Sequence, residues 1–179
     1  MGARPIKTIA DSVMYKKSKP VTEFNQELRD LVRDMFDTMY EYRGVGLAAV
    51  QIGVLTRVLV IDLESMGFTK GVFINPEIVS ASDKFQTGEE GCLSIPGVLA
   101  LLKRPQWVTV KYYNVFGNEK EITGKDFMAR ALLHEMDHLD GKVFIDLLEP
   151  DIRSGIEMEI DTIKHGEILK NGKIPAYRK

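Results

Sequence analysis

Apolar side chains recur at helical spacing between residues 22 and 42 of the chain. A helix turns once every 3.6 residues, so residues three and four positions apart share one face. This spacing predicts a long amphipathic helix, with Thr22 as its N-cap and Gly44 as the residue that ends it. The apolar residues that define the predicted buried face are Phe24, Leu28, Leu31, Val32, Met35, Phe36 and Met39.

Beyond this helix, the pattern changes to the short apolar runs and the alternation that are typical of strands. Residues 57–62 and 72–75 are predicted to form short buried strands, and Pro76 is expected to interrupt the second one. Residues 107–122 alternate between apolar and polar side chains, which predicts a hairpin that turns near Gly117 and Asn118.

Two more helices are predicted in the second half of the chain. One begins with Asp126 as its N-cap and ends at Gly141. The other is capped by Asp151 and carries a stripe of isoleucines at positions 152, 156, 160 and 163. This order of elements predicts an α+β fold, in which antiparallel sheets pack around the helix that begins near Asp126, with a further helix towards each terminus.

The composition is typical of one globular domain that is neither exported nor inserted into a membrane. The 179 residues are 44% hydrophobic, so we expect a single domain over residues 1–179. A net charge of −2 gives no bulk attraction to DNA or to an anionic membrane, although residues 162–179 form a basic tail that could touch ribosomal RNA. No apolar run approaches the ~20 residues that span a bilayer, and the first residues do not form a signal-like segment. With Cys92 as the only cysteine, a reduced, cytoplasmic setting is expected.

The segment His134-Glu135-Met136-Asp137-His138 carries two imidazoles one helical turn apart. Four residues rise about 6 Å along a helix and rotate slightly more than one turn, so both rings can reach the same point in space. That point suits a metal ion. Glu135 lies about 100° further round the helix, where it is free to handle the proton of a water molecule at the metal. The segment therefore predicts a metal site of the HExxH type, and the helix that carries it is the predicted central helix.

Two histidines leave such a site short of a third protein ligand. Cys92 is one candidate, in a segment that we expect to be a loop, where Gly91 permits close backbone approach and Pro96 rigidifies the exit. Glu157 and Glu159 are rivals, because they lie about as far beyond His138 as the third ligand does in thermolysin-like metallopeptidases. Thiolates bind such ions strongly, which favours Cys92 and leaves the glutamates open.

A second loop, residues 44–49, contains a G-x-G-x-x-A pattern. In dinucleotide-binding proteins this pattern follows a strand, whereas here it follows a predicted helix, so that function is not favoured. The glycines instead allow a substrate backbone to lie close, and Gln51 offers an amide donor for a polar transition state.

Three segments together closely resemble the three ordered motifs of bacterial peptide deformylases. They are Gly44-Val45-Gly46-Leu47-Ala48-Ala49-Val50-Gln51, Glu90-Gly91-Cys92-Leu93-Ser94 and His134-Glu135-Met136-Asp137-His138-Leu139-Asp140-Gly141. The resemblance implies a monomeric α+β fold and removal of the formyl group from the N-terminal formyl-methionine of nascent polypeptides. It also implies an Fe²⁺ ion, for which Zn²⁺, Ni²⁺ or Co²⁺ can substitute.

The resemblance further assigns roles to individual residues. Cys92, His134 and His138 would be the metal ligands. Glu135 would carry the proton, and Gln51 with the backbone N–H of Leu93 would stabilise the oxyanion. The residues expected to contact the substrate chain are Val45, Gly46, Glu90 and Gly91.

Several positions depart from the family pattern without removing a chemical group of the mechanism. Val50, Leu133 and Arg43 differ from the common residues, and Leu99 stands where some members carry an arginine that helps to hold the peptide. Substrate preference is therefore open. Two other functions stay as alternatives, namely a zinc metallopeptidase that uses Glu157 or Glu159 and an inactive relative that binds formylated chains.

Overall fold

A computed structural model of the chain describes residues 2–165. Met1 and residues 166–179 lie outside the described residues, and with them lies most of the predicted basic tail. The helices are α1 (Gln26–Glu41), α2 (Asp126–Leu139), α3 (Pro150–Ser154) and α4 (Glu157–Lys164). The strands are β1 (Gly46–Ala48), β2 (Val58–Asp62), β3 (Lys70–Ala81), β4 (Phe85–Cys92), β5 (Ile95–Pro105), β6 (Trp107–Tyr113) and β7 (Glu119–Lys125).

The strands form two antiparallel sheets. The larger sheet has the order β1-β2-β3-β6-β7, and the smaller one pairs β4 with β5. Helix α2 contacts strands of both sheets, and 11 of its 14 residues are buried. The predicted mixture of helices and antiparallel sheets is confirmed. Within residues 2–165, no helix is long and apolar enough to cross a bilayer.

Helix α1 begins later than predicted because Asn25, and not Thr22, is its cap. The Asn25 side chain accepts a hydrogen bond from the Leu28 N–H, as N-cap residues do. At the other end, the left-handed residue is Arg43, with φ of 57°. Gly44 does not take the left-handed conformation, but its N–H donates to the Met39 carbonyl at 2.8 Å and so closes the end of the helix.

Pro76 interrupts the pairing of its strand, as the sequence predicted, but the strand does not stop there. Strand β3 continues to Ala81, but its register against β6 shifts between Ile74 and Glu77. This β-bulge takes Pro76 out of the ladder, where its missing N–H does no harm. Asn75, in the left-handed region with φ of 50°, makes the bend and bonds Val21 through both ends of its amide.

The structure contains a hairpin where the sequence analysis expected a loop. β4 and β5 pair from Phe85 opposite Pro105 to Gly91 opposite Leu99. Buried and exposed residues alternate along β5, but Leu99 and Leu101 on the exposed face are apolar as well. Hydropathy alone therefore shows no alternation, and this is why the strand was missed.

The predicted helices of the second half form but begin at different residues. Lys125 is the N-cap of α2, so Asp126 is its first residue. The predicted C-terminal helix is two helices, with Glu149 as the N-cap of α3 and Asp151 in the first turn. Ile160 and Ile163 of α4 are buried, so the apolar stripe is retained there.

Candidate metal centre

Helix α2 and strand β4 bring three potential ligand atoms together. The sulfur of Cys92 and one ring nitrogen from each of His134 and His138 all lie within 4.8 Å of one another. Cys92 Sγ is 3.1 Å from His138 Nε2. The centroids of the two imidazoles are 5.0 Å apart, with their planes at 81°. A thiolate and two imidazoles at this spacing fit a divalent transition-metal ion, because soft sulfur and borderline nitrogen donors select such ions.

Each element delivers its ligands through its own periodicity. In α2, His134 and His138 are four residues apart and so lie one above the other on the same face. In β4, side chains two residues apart share a face, which directs Glu90 and Cys92 to the same side of the hairpin. The strand thus supplies both a ligand and a buried carboxylate.

Glu90 lies directly behind His134. Its Oε2 is 2.9 Å from His134 Nδ1, which leaves the other ring nitrogen for the metal centre. Arg104 donates to both carboxylate oxygens of Glu90, at 2.9 and 3.0 Å, and Arg130 donates to Oε1 at 2.8 Å. Burial raises the pKa of Glu90, but Arg104 and His134 outweigh it and hold the pKa well below its usual range. Glu90, predicted to contact substrate, is 1% exposed and already bonded at both oxygens.

The pKa values of the two histidines are shifted in opposite directions. Burial opposes a charge on each ring. For His134, hydrogen bonds with Cys92 and Glu90 outweigh burial and raise the pKa well above its ordinary value. For His138, burial and the positive charges of His134 and Arg104 lower the pKa well below that value. Because the His134 ring holds a proton more readily than an ordinary imidazole, a cation that binds this ring competes with that proton.

Glu135 is buried next to His134, and the pKa of its carboxyl group is raised toward neutral pH. Burial raises its pKa from 4.5 to about 7; the charge of His134 opposes that rise, and Glu90 and Asp137 add to it. Its Oε2 is buried without a hydrogen-bond partner among the described residues. A Cβ on Gly46 would come within 2.5 Å of Glu135 Oε1, so any larger residue at this position would displace the carboxylate.

The side chain of Gln51 is held with its nitrogen toward Cys92. Gln51 lies in the short 3-10 helix Ala49–Ile52, not in a loop, and it is 1% exposed. Its Oε1 accepts from the Ala48 N–H at 2.8 Å. Its Nε2 donates to Ser94 Oγ at 3.2 Å and lies 3.5 Å from Cys92 Sγ. The amide therefore presents a donor to the metal centre.

Two strands that border the centre lie at the edges of their sheets. β1 is an edge strand of the larger sheet, and β4 is paired on one side by β5, as far as residues 2–165 show. Gly46 pairs in register with Ile61 of β2, and the Val45 carbonyl accepts from the Asp62 N–H at 2.9 Å. The backbone pairing of Val45 and Gly46 is therefore with β2.

Leu93 crosses the gap between these two strands. It forms, with Ser94, the two-residue turn between Cys92 and Ile95, which are partners in the ladder. Its Cδ1 lies 2.9 Å from the position that a Cβ would take on Gly44. The segments that hold the predicted substrate contacts Val45, Gly46 and Gly91 are thus close neighbours.

The rival ligands are not part of this cluster. Glu157 lies on α4, is about half exposed and is 3.5 Å from Arg153. Glu159, two residues further along α4, is likewise absent from the group that Cys92 forms with the histidines within the described residues.

Sequence reasoning missed the two arginines that support Glu90. Arg104 also pairs with Asp137 of α2 at 2.6 Å, so it ties the hairpin to the helix. Arg130 lies one turn before His134 on the face that the apolar periodicity had already marked as buried. A charged residue in such a position requires a buried partner, and that signal was present in the sequence.

A family model described as polypeptide deformylase matches residues 3–153. A peptide deformylase of Caldanaerobacter subterraneus subsp. tengcongensis is 52% identical over 146 residues, which cover 82% of this chain and 89% of that protein.

Solved structures agree with these matches. A crystal structure of a peptide deformylase from Legionella pneumophila is 44% identical, with a TM-score of 0.84 over 93% of this chain and 98% of that one. A peptide deformylase from Ehrlichia chaffeensis in complex with actinonin is 38% identical, with a TM-score of 0.85 over 94% of this chain and 100% of that one.

Proposed function

Because the chain belongs to the polypeptide deformylase family, we propose that it removes the N-formyl group from the formyl-methionine of nascent polypeptides and releases formate. One observation carries this proposal beyond membership of the family. Three ligand atoms of Cys92, His134 and His138 converge beside a buried carboxyl group, that of Glu135, which has an oxygen without a hydrogen-bond partner.

The proposed metal ligands are Cys92, His134 and His138, and α2 is thus the metal-binding helix around which the sheets are arranged. We favour Fe²⁺ as the native ion, with Zn²⁺, Ni²⁺ or Co²⁺ as substitutes. When bound, a divalent cation supplies a Lewis acid and lowers the pKa of water at the site. Glu90 fits a positioning role better than the substrate contact first expected of it, because it orients the His134 ring.

Glu135 is the proposed proton carrier. Its raised pKa places it near the operating pH, where a carboxylate can take a proton from the attacking water and still give it up again. After the water has attacked the formyl carbon, the same group protonates the leaving amine, which becomes the free N-terminus. One carboxyl group therefore serves first as base and then as acid.

Gln51 and Leu93 are the proposed donors to the negative charge that develops on the formyl oxygen. The Gln51 amide nitrogen already faces Cys92, and the backbone N–H of Leu93 belongs to the residue next to it. Preorganised donors of this kind stabilise the transition state more than the ground state, and the loss of one typically slows a reaction ~10² to 10³-fold.

The substrate chain is proposed to lie between the edges of β1 and β4 as an added strand. Backbone groups of Val45, Gly46 and Gly91 would pair with it, which fixes the chain without regard to its side chains. Apolar residues beside α2 would form the pocket for the methionine side chain.

Formate release from formyl-Met-Ala-Ser tests the proposed function directly. The chain loaded with Fe²⁺ or Ni²⁺ should release formate and leave Met-Ala-Ser intact. Cleavage of unformylated peptides, and its loss in Glu157→Ala or Glu159→Ala, would support a metallopeptidase instead. Binding of the formylated peptide without formate release would support a binding protein.

The cellular setting belongs to the same proposal. We place the protein in the cytoplasm, where nascent chains emerge, and we propose a transient ribosome contact through basic residues 162–179. Truncation after His165 keeps α4 whole and removes the rest of the tail. Unchanged co-sedimentation of the truncated protein with ribosomes would refute this contact.

A further inference from the structure

The N-terminal segment of the chain lies behind the proposed reaction centre. The Lys7 N–H donates to the Gln51 carbonyl at 2.7 Å, and the Ile9 N–H donates to the Ser94 carbonyl at 3.1 Å. Met14, in the 3-10 turn Ser12–Tyr15, is fully buried. The N-terminal segment therefore contacts both Gln51 and Ser94, whose side chains bond each other next to Cys92.

The hydroxyl of Ser94 connects Met14 to Gln51. Ser94 is fully buried; its Oγ donates to Met14 Sδ at 3.9 Å and accepts from Gln51 Nε2 at 3.2 Å. A serine hydroxyl has one proton, and a thioether sulfur can only accept. With the proton directed to Met14, a lone pair is left facing the Gln51 N–H.

This arrangement decides which end of the Gln51 amide faces the centre. The two ends of an amide have nearly the same shape, so their neighbours must set the orientation. The Ala48 N–H holds the oxygen and Ser94 Oγ holds the nitrogen, which leaves the second N–H near Cys92 Sγ. A reversed amide would present its oxygen to the developing negative charge and would repel it.

We propose that Ser94 and Met14 are positioning residues that keep the nitrogen of the Gln51 amide directed at the reaction centre. This inference rests on the role proposed above for Gln51. Because neither residue needs to touch the substrate, their loss should lower kcat and leave KM nearly unchanged.

Ser94→Ala is the first test, and the chain offers a matched control. The hydroxyl of Ser18 is also buried but has no hydrogen-bond partner among residues 2–165, so Ser18→Ala removes a buried hydroxyl that bonds none of the residues of the centre. Ser94→Ala should lower kcat about three- to tenfold, which is the effect of one hydrogen bond, with KM within about twofold. Metal content should not change. Loss of metal, or kcat equal to that of Ser18→Ala, would overturn the proposal.

A double-mutant cycle separates positioning from a general loss of structure. In a Gln51→Ala background, Ser94→Ala should change kcat by less than about twofold, because the group that it positions is gone. The same fold loss in both backgrounds would show that Ser94 does not act through Gln51. If Ser94→Ala does not fold, Ser94→Cys, with a weaker hydrogen-bonding group of similar size, takes its place.

A readout independent of activity is the side-chain NH₂ signal of Gln51 in the ¹⁵N spectrum of the metal-free and Zn²⁺-loaded protein. It should shift or broaden in Ser94→Ala and stay in place in Ser18→Ala. Met14→Leu should move it in the same sense, whereas Met35→Leu, at another fully buried methionine, should not. An unmoved signal overturns the role of the residue that was changed. The absence of formate release by the unchanged chain would instead refute the proposed function.

Discussion

The candidate metal centre is assembled from a helix and a hairpin that encode their contributions in different ways. Helix α2 provides His134, Glu135 and His138 within five residues, and helical spacing alone places them. The β4–β5 hairpin provides Cys92 and Glu90, and these take effect only when the hairpin docks on α2 through Arg104. The spacing of residues within α2 is therefore enough to place the groups that the helix supplies. The groups that the hairpin supplies reach the centre only through tertiary packing.

The largest effect is expected when the metal ligand that the hairpin supplies is removed. Cys92→Ala should lose most of the bound metal and at least ~10³-fold in kcat/KM, because water without the cation returns from a pKa of ~7 to its far higher value in bulk solution. Metal content by atomic absorption and formate release check this. Glu157→Ala and Glu159→Ala serve as controls that should retain both properties. Normal metal content in Cys92→Ala would bring the glutamates back as ligands.

Glu135→Gln should separate chemistry from metal binding within the helical half. The variant keeps the size of the side chain but cannot carry the proton, so kcat should fall ~10² to 10⁴-fold. The metal content should remain that of the unchanged protein, since Glu135 is not among the three clustered ligands. Near-normal kcat would exclude Glu135 as the proton carrier.

The same substitution should stabilise the metal-free protein, and more at high pH than at low pH. Burial raises the pKa of Glu135 from 4.5 to about 7 in the folded chain. Well below pH 4.5 the carboxyl is neutral in both the folded and the unfolded states, so it imposes no charge penalty. Between pH 4.5 and 7 the unfolded state loses this proton while the folded state keeps it, so the penalty grows across that range to as much as ~3 kcal/mol and stays constant above it, where the folded state buries the charge.

Urea unfolding of the metal-free protein at pH 5 and pH 8 measures this difference. The gain in unfolding free energy from Glu135→Gln should be larger at pH 8. Glu157→Gln, on the exposed side of α4, should change stability equally at both values. An equal gain from Glu135→Gln at both pH values would contradict the burial argument.

A smaller effect is expected from the support that the hairpin gives to the helix. Glu90→Gln weakens the bond that orients His134 and leaves Arg104 and Arg130 poorly paired, so metal affinity should fall ~10 to 100-fold. Competition with a chelating dye provides the measurement. Glu89→Gln, on the exposed face of the same strand, should leave affinity unchanged. Equal affinities in the two variants would remove Glu90 from the supporting role.

The smallest expected effect lies on the outer face of the hairpin. Leu99 is 45% exposed and lies opposite Gly91. Leu99→Arg should favour formyl-Met-Ala-Glu over formyl-Met-Ala-Lys by up to about fivefold in kcat/KM, the value of an exposed ion pair. Leu101→Arg, two residues further from Cys92, should shift this ratio less. An unchanged ratio would place the substrate chain elsewhere.

The two halves also differ in how far the sequence could predict them. The helical half was predictable because one period fixes both rings and because Ala131 and Leu132 mark the buried face. The hairpin was not, since its exposed leucines conceal the alternation that identifies a strand. Periodicity could mark Arg130 as buried but could not identify its partner, because the bonds from Arg104 and Arg130 to Glu90 join residues 14 and 40 positions apart along the chain.

The bulge at Pro76 and the true cap of α1 show a similar limit. Proline ends a strand only if its N–H would be needed, and the register shift between Ile74 and Glu77 removes that need. Thr22 and Asn25 are both suitable caps, and the hydrogen bond to Leu28 decides between them. The local sequence indicates which residues could cap a helix or end a strand, and tertiary contacts decide which of them does.

The tight turn after Cys92 makes this part of the chain unusually intolerant of changes in length. Hairpin tips are ordinarily the places where proteins accept extra residues. Here the ligand, the turn residue beside it and the serine behind it are consecutive, and Cys92 must still face Ile95 across the ladder. A single inserted residue would displace all three at once, so natural or engineered insertions should be confined to other loops, such as the turn at residues 114–118.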